Sequence, residues 1–218
     1  MKKIAALLLG LALPLSAQVM GAGIDTDPSA MDRSGVIFIE QVLVDPNGDE
    51  TLEDIPEMIQ VINAGDADKD LSGWVLAISQ TDGSTSKWTF PQGISLSSGR
   101  HLQVYWGTVG EISEAIVHTG PTNLTRLHND GGDLALFNAS NVMEHYVQWA
   151  QAGNTHEADA VDAGLWNIGE STPQPKQAEI LQYNGSGFSA NAWNLLSPQG
   201  PTAVEGSTWG AVKTVEHQ

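Results

Sequence analysis

Asp45, Asn47, Asp49, Glu50, Glu53, Asp54 and Glu57 all fall within "DPNGDETLEDIPE", residues 45–57, with no Lys or Arg among them. Carboxylates packed this densely repel one another unless water or a hard cation screens them, and calcium takes such oxygen ligands. Asp45, Asn47 and Asp49 have the spacing that opens an EF-hand loop, and with Glu50 they are the set that would hold the ion. The pattern then breaks: Glu50 stands where the loop needs glycine, and Pro56 occupies the twelfth position. A solvated turn is the first reading of this loop, and calcium is the one cofactor its residues would support.

Other constellations are weaker. "HEADAVD" places His156, Asp159 and Asp162 three apart, but a His-Glu-x-x-His zinc site needs a second histidine where Ala160 stands; a polar helix face is expected. Ser84 and Lys87 in "STSK" match Ser-x-x-Lys, yet the stretch crosses a hairpin tip, and "KTV" at 213–215 lacks the glycine of Lys-Thr-Gly. His145 shares its strand face with Met143, Val147 and Trp149, which is the setting of a core histidine. His101 shares its face with Gln103 and Tyr105 and is expected at the surface. The chain has no Gly-x-Ser-x-Gly elbow and no phosphate-binding glycine loop. A non-catalytic protein is expected, and a small metal-dependent hydrolase is the least supported reading.

Composition narrows the partners. "MKKIAALLLGLALPLSAQ" is two lysines, an apolar run and small residues, the form of a signal peptide cleaved after Ala17. The run is shorter than the roughly 20 residues of a membrane span. The expectation is a bacterial exported protein, periplasmic or extracellular. Removing Lys2 and Lys3 takes two positive charges from a net −17 and leaves −19. Nucleic-acid affinity rests on Lys and Arg displacing counterions, so nucleic acid is not an expected partner. Zero cysteines exclude a disulfide framework, and stability must come from burial.

The elements that position these residues read as short strands. Residues 18–34 lack periodicity and are expected to be a flexible lead-in. "VIFI" suggests a strand covered on both faces, ending at Asp45-Pro46-Asn47-Gly48. "EMIQVIN" follows, then "GWVLAIS" and "SKWTF" around an Asp-Gly hairpin tip, then "RHLQVYWG", then two strands within "GGDLALFNASNVMEHYVQWA". In "GWVLAIS", Trp74, Leu76 and Ile78 alternate with Val75, Ala77 and Ser79, the period of a half-buried strand. Turn signals roughly every ten residues indicate an antiparallel sandwich. Trp74, Trp88, Trp106 and Trp149 are expected in its core. Trp166, Trp193 and Trp209 lie in the C-terminal third, where packing of an extension onto the sandwich is expected.

The order of these pieces resembles the lamin tail domain, an Ig-like β-sandwich also found in exported bacterial proteins. "IFIEQVLVDPNGDE", "EMIQVINAG", "DLSGWVL", "FPQGISLSSGRHLQVY", "LHNDGGDLALFN" and "VMEHYVQW" are similar to successive strands and turns of that family. Gln60 departs from the family's usual Glu, and the insert between Gly107 and Thr125 is long. The resemblance implies an all-β Ig-like sandwich core over 35–150. An extension over 151–202, short, helical and irregular, would pack on it, with a tail at 203–218. It marks Leu71, Gly73, Trp74, Phe90, Pro91, Gly99, Gly132 and Asp133 as structural signature residues; Gly73 is expected to let the backbone turn into the strand, at a place where a side chain would collide. It implies an interaction module that binds a protein or a cell-surface glycan or matrix component. A calcium-dependent adhesion protein using the 45–57 loop is the alternative.

Overall fold

The computed structural model describes residues 36–46, 56–120 and 124–197. The expected signal peptide, the lead-in, Asn47, Asp49, Glu50, Trp209 and the tail at 203–218 lie outside the described residues. The described residues form β1 (Ile37–Leu43), β2 (Glu57–Asn63), β3 (Lys69–Asp70), β4 (Val75–Gln80), β5 (Thr85–Thr89), β6 (Ser95–Leu96), β7 (His101–Trp106), β8 (Ile116–His118), β9 (Gly132–Phe137), β10 (Met143–Trp149), α1 (Glu157–Asp162), β11 (Ile180–Tyr183) and β12 (Trp193–Leu196). A six-stranded sheet runs β12-β11-β1-β2-β7-β8, and a four-stranded sheet runs β10-β9-β4-β5. This is the Ig-like β-sandwich that the strand pattern and the resemblance imply.

Alternation sets the core between the sheets. Ile59 and Val61 of β2, Leu102 and Val104 of β7 and Leu76 and Ile78 of β4 are at most 1 % exposed. Each such side chain contributes about 1.5–3 kcal/mol of burial, which is where stability must come from without disulfides. Trp106 and Trp149 are fully buried, and each indole N–H finds a carbonyl, of Thr125 and of His128 respectively. The long insert supplies β8, which pairs in parallel with β7 through Val104 and Val117.

The half-buried expectation for β4 fails. Ala77 and Ser79 are buried as completely as Leu76 and Ile78, and β9 is buried at all six positions. The reason is a second packed face. Residues 151–172 fold over the outer side of the four-stranded sheet, where Trp166 meets Tyr146 edge to face at 5.2 Å and Ser79 Oγ accepts the Thr155 N–H. Farther on, residues that read as irregular, rich in Gly, Ser and Asn, form the β11–β12 hairpin, which extends the six-stranded sheet beside β1.

The signature residues act through the backbone as much as through packing. Leu71 is fully buried, Trp74 is 5 % exposed, and Phe90 exchanges backbone hydrogen bonds with Gly73 and Trp74. Gly73 has φ +77°, and a Cβ there would meet the Ala139 Cβ at 3.6 Å, an ordinary contact. The expected turn of the backbone is what requires glycine; the expected collision does not occur. Gly132 is the reverse case: a Cβ would lie 2.5 Å from the Ser79 carbonyl oxygen. Pro91 is exposed; Gly99 has φ +69° and donates its N–H to Asn63 O.

Candidate functional site

A network of buried polar side chains lies on the outer side of the four-stranded sheet. Strand register places Ser79 opposite Asp133, and Asp133 opposite Gln148, so β4, β9 and β10 present these side chains to one spot. Tyr146 lies on the same face two residues from Gln148. The chain then turns at residues 150–155, and α1 brings His156 and Glu157 down onto this face.

Asp133 accepts two hydrogen bonds from His156, and the single Tyr146 hydroxyl proton is shared between Asp133 and Gln148. His156 Nδ1 lies 2.8 Å from Oδ1, the His156 backbone N–H reaches Oδ2 at 2.9 Å, and the Tyr146 hydroxyl reaches Oδ2 at 3.3 Å. Asp133 is fully buried and His156 is 6 % exposed. Gln148 joins this group to Glu157: Nε2 donates to Glu157 Oε1 at 2.9 Å, and Oε1 accepts from Tyr146 OH and Asn154 Nδ2. Glu157 also accepts the backbone N–H groups of Gly153 and Gly169 at 2.7 and 2.8 Å. Burial beside the charges of Asp133 and Glu157 raises the Tyr146 phenol far above its usual value, so the group remains a hydrogen-bond donor.

These are the residue types of an acid–base site, but the geometry is that of an anchor. A Ser–His–Asp set needs the hydroxyl on the imidazole nitrogen that faces away from the carboxylate. Ser79 Oγ instead takes the Thr155 N–H at 3.2 Å. Buried polar groups need partners: Asp133 of the sheet takes the His156 backbone N–H and ring nitrogen, while Glu157, inside the covering segment, takes that segment's Gly153 and Gly169 N–H groups and the Gln148 amide of the sheet. The expectation of a polar helix face at 156–162 is corrected in part: His156 and Glu157 are buried, while Asp159 and Asp162 are exposed and do not join them. Sequence reading missed Tyr146, Gln148 and Asn154. The signal for Tyr146 and Gln148 was polar residues at strand positions whose neighbours, Val147 and Trp149, belong in a core; Asn154, in the loop after β10, had none.

The remaining candidates separate. Ser84 sits in the β4–β5 turn and Lys87 is exposed on β5. His101 lies at the surface with Nδ1 2.7 Å from Glu40 Oε2. His145 is buried among Phe38, Tyr183, Phe188 and Trp193, with ring centroids at 4.6–5.9 Å, and neither ring nitrogen has a hydrogen-bond partner. Burial alone lowers its pKa to about 3. Of the expected calcium set only Asp45 is described, and its carbonyl oxygen accepts the Ala178 N–H at 2.6 Å. Glu57 is buried at the start of β2, where Oε2 accepts the Leu127 N–H. Among the described residues no three His, Asp or Glu side chains are grouped to hold a metal ion, and no helix is long and apolar enough to cross a membrane.

An open groove of about 900 Å³ lies between the β6–β7 turn and the β7–β8 connection, with Arg100, His101, Ile112 and Glu114 among its lining residues. Of the sequence candidates for chemistry only His101 lines it.

Residues 31–172 match the family model described as Lamin Tail Domain. No curated protein matches the chain. The family is a non-enzymatic Ig-like fold whose members are typically involved in protein interaction. With that match running from the segment before β1 to the end of the anchor at Thr172, the chain belongs to the Lamin Tail Domain family.

Proposed function

We propose that this chain is an exported, non-catalytic interaction module that binds a protein or a cell-surface or matrix component. The observation that supports this reading is the buried anchor. The side chains best suited to acid–base chemistry are engaged in holding residues 151–172 against the four-stranded sheet: Asp133 of β9 binds His156, and Gln148 of β10 donates to Glu157. The Lys-poor, acidic composition and the signal-like N-terminus support action outside the cytoplasm, against a partner other than nucleic acid. The test is binding of fluorescently labelled protein to intact cells and isolated envelopes of the producing organism. Saturable binding, competed by unlabelled protein, is expected. Linear, uncompeted uptake, or steady turnover of generic ester or phosphate substrates by the pure protein, would overturn the reading.

A further inference from the structure

Five strands of the six-stranded sheet carry a side-chain amide at one register. Asn194 lies opposite Gln182, Gln182 opposite Gln41, Gln41 opposite Gln60, and Gln60 opposite Gln103. Directly opposed residues share a face, and this face points away from the core. The neighbours along the strands, Leu181, Val42, Ile59, Val61, Leu102 and Val104, are at most 1 % exposed. The four glutamines are half-buried and Asn194 is exposed. Two residues along each strand, the next outward row reads Leu196, Ile180, Leu43, Met58 and Tyr105. An amide track and a largely apolar track therefore run side by side across the strands.

Neither track contains a charge, in a chain whose net charge is −17. Glu40, set beside the amide track by the bulge between Ile39 and Gln41, is held by His101 Nδ1 and by Gln60 Nε2, each at 2.7 Å. The ligand chemistry follows. A primary amide presents a donor and an acceptor side by side in one plane, which matches neighbouring hydroxyls on a sugar ring. The C–H faces of the same rings suit the half-buried Ile180, Leu43 and Tyr105 side chains. A polyanion would be repelled by the protein as a whole, and a polycation finds no carboxylate in either track. Addition of a peptide strand needs a free sheet edge, whereas β11, β1, β2 and β7 are each paired on both sides.

We propose that this face binds a single linear, uncharged polysaccharide chain, its hydroxyls bonded by Gln103, Gln60, Gln41, Gln182 and Asn194. The proposal rests on the interaction-module reading and names its ligand class. Five strands at about 4.8 Å spacing separate the outermost amides by about 19 Å, long enough for several sugar units. Sheet twist of roughly 20° per strand makes the track helical, so it follows one chain in solution rather than a flat crystalline surface.

The test is native affinity electrophoresis of the full chain through gels containing soluble mixed-linkage β-glucan, glucomannan, hydroxyethyl cellulose or dextran. Alginate serves as the polyanionic control, and pull-down on microcrystalline cellulose serves as the flat-surface control. Retardation by at least one neutral polymer, and none by alginate, is expected. The double variant Gln41→Ala with Gln182→Ala should weaken it roughly tenfold by losing two half-buried hydrogen-bonding groups. Its unfolding midpoint should not change, and Gln60→Ala gives an independent second reading. No retardation by any neutral polymer, retardation by alginate alone, binding to crystalline cellulose alone, or equal retardation of the variants would each overturn the proposal. Saturable envelope binding that the double variant retains would overturn it in favour of a protein partner, and would leave the interaction-module reading standing.

Discussion

His156 holds the Asp133 carboxylate twice, through its ring nitrogen at 2.8 Å and its own backbone N–H at 2.9 Å. One residue at the start of α1 thus satisfies both oxygens of a buried acid on β9.

Replacing His156 with Ala leaves the Asp133 Oδ1 without its ring partner in a site closed to water. Stability should fall by about 1–3 kcal/mol. Urea unfolding measures the loss. Hydrogen exchange should show the opening concentrated in residues 151–172, with β2 and β7 protected as before.

His145 gives acid sensitivity of a defined sign. Unfolded, the imidazole takes a proton near 6.5; folded, burial holds its pKa at about 3. Between these values the unfolded state binds more protons, so stability rises with pH and is lost as pH falls through that window. The wild type should lose up to about 1.4 kcal/mol per pH unit below about 6 relative to a His145→Leu variant. Urea midpoints of both proteins from pH 7.5 to 4.5 check this. Parallel curves would remove the imidazole from the account.

Two glycines should separate steric from conformational requirements. Gly132→Ala drives a Cβ to 2.5 Å from the Ser79 carbonyl, in the middle of the β4–β9 pairing. Gly83, φ +82°, sits in the open β4–β5 turn with nothing within 4 Å of a Cβ. Gly83→Ala should cost about 1–2 kcal/mol from the left-handed backbone alone, and Gly132→Ala visibly more. Thermal melts rank them, and the reverse order would refute the contact argument.

Melts in millimolar calcium and in chelator should superimpose. The Asp45 carbonyl already accepts a backbone hydrogen bond from Ala178, and Glu57 is buried in the fold. A ligand at about a hundred times its dissociation constant adds roughly 2.7 kcal/mol. A rise in midpoint of that order, abolished by Asp45→Ala with Asp49→Ala, would establish the loop as a calcium site.

The parts of the fold that were legible in the sequence are those where one side of a strand stays polar. β7 alternates, and "HLQVYW" shows it directly, whereas "EMIQVIN" in β2 keeps only Gln60 polar on its outer side, beside Met58 and Ile62. β4 and β9 hid their second buried face because Ala77, Ser79 and Asp133 are small or polar. What covers them is a segment more than 15 residues farther along the chain, and no local period reports that. Leu71, Gly73 and Trp74 were visible as a motif, but the reason for Gly73 required its backbone angle. The anchor was half visible: His156 stood out as chemistry, while Asp133 was marked only as a structural residue, and Glu157, Tyr146 and Gln148 looked like ordinary residues of their elements.

The place of β11 has a consequence for the order in which the chain can fold. β1, the first described strand, gains its second neighbour only when residues 180–183 arrive, some 140 positions later. Until then the outer backbone groups of Gln41 to Leu43 form a free edge, able to recruit a strand from another molecule. Closing so long a loop is slow, because the entropy of the intervening chain is lost before the pairing repays it. A chain that lacks the last two strands would keep that edge open, which makes β11 and β12 a barrier to self-association as well as part of the sheet.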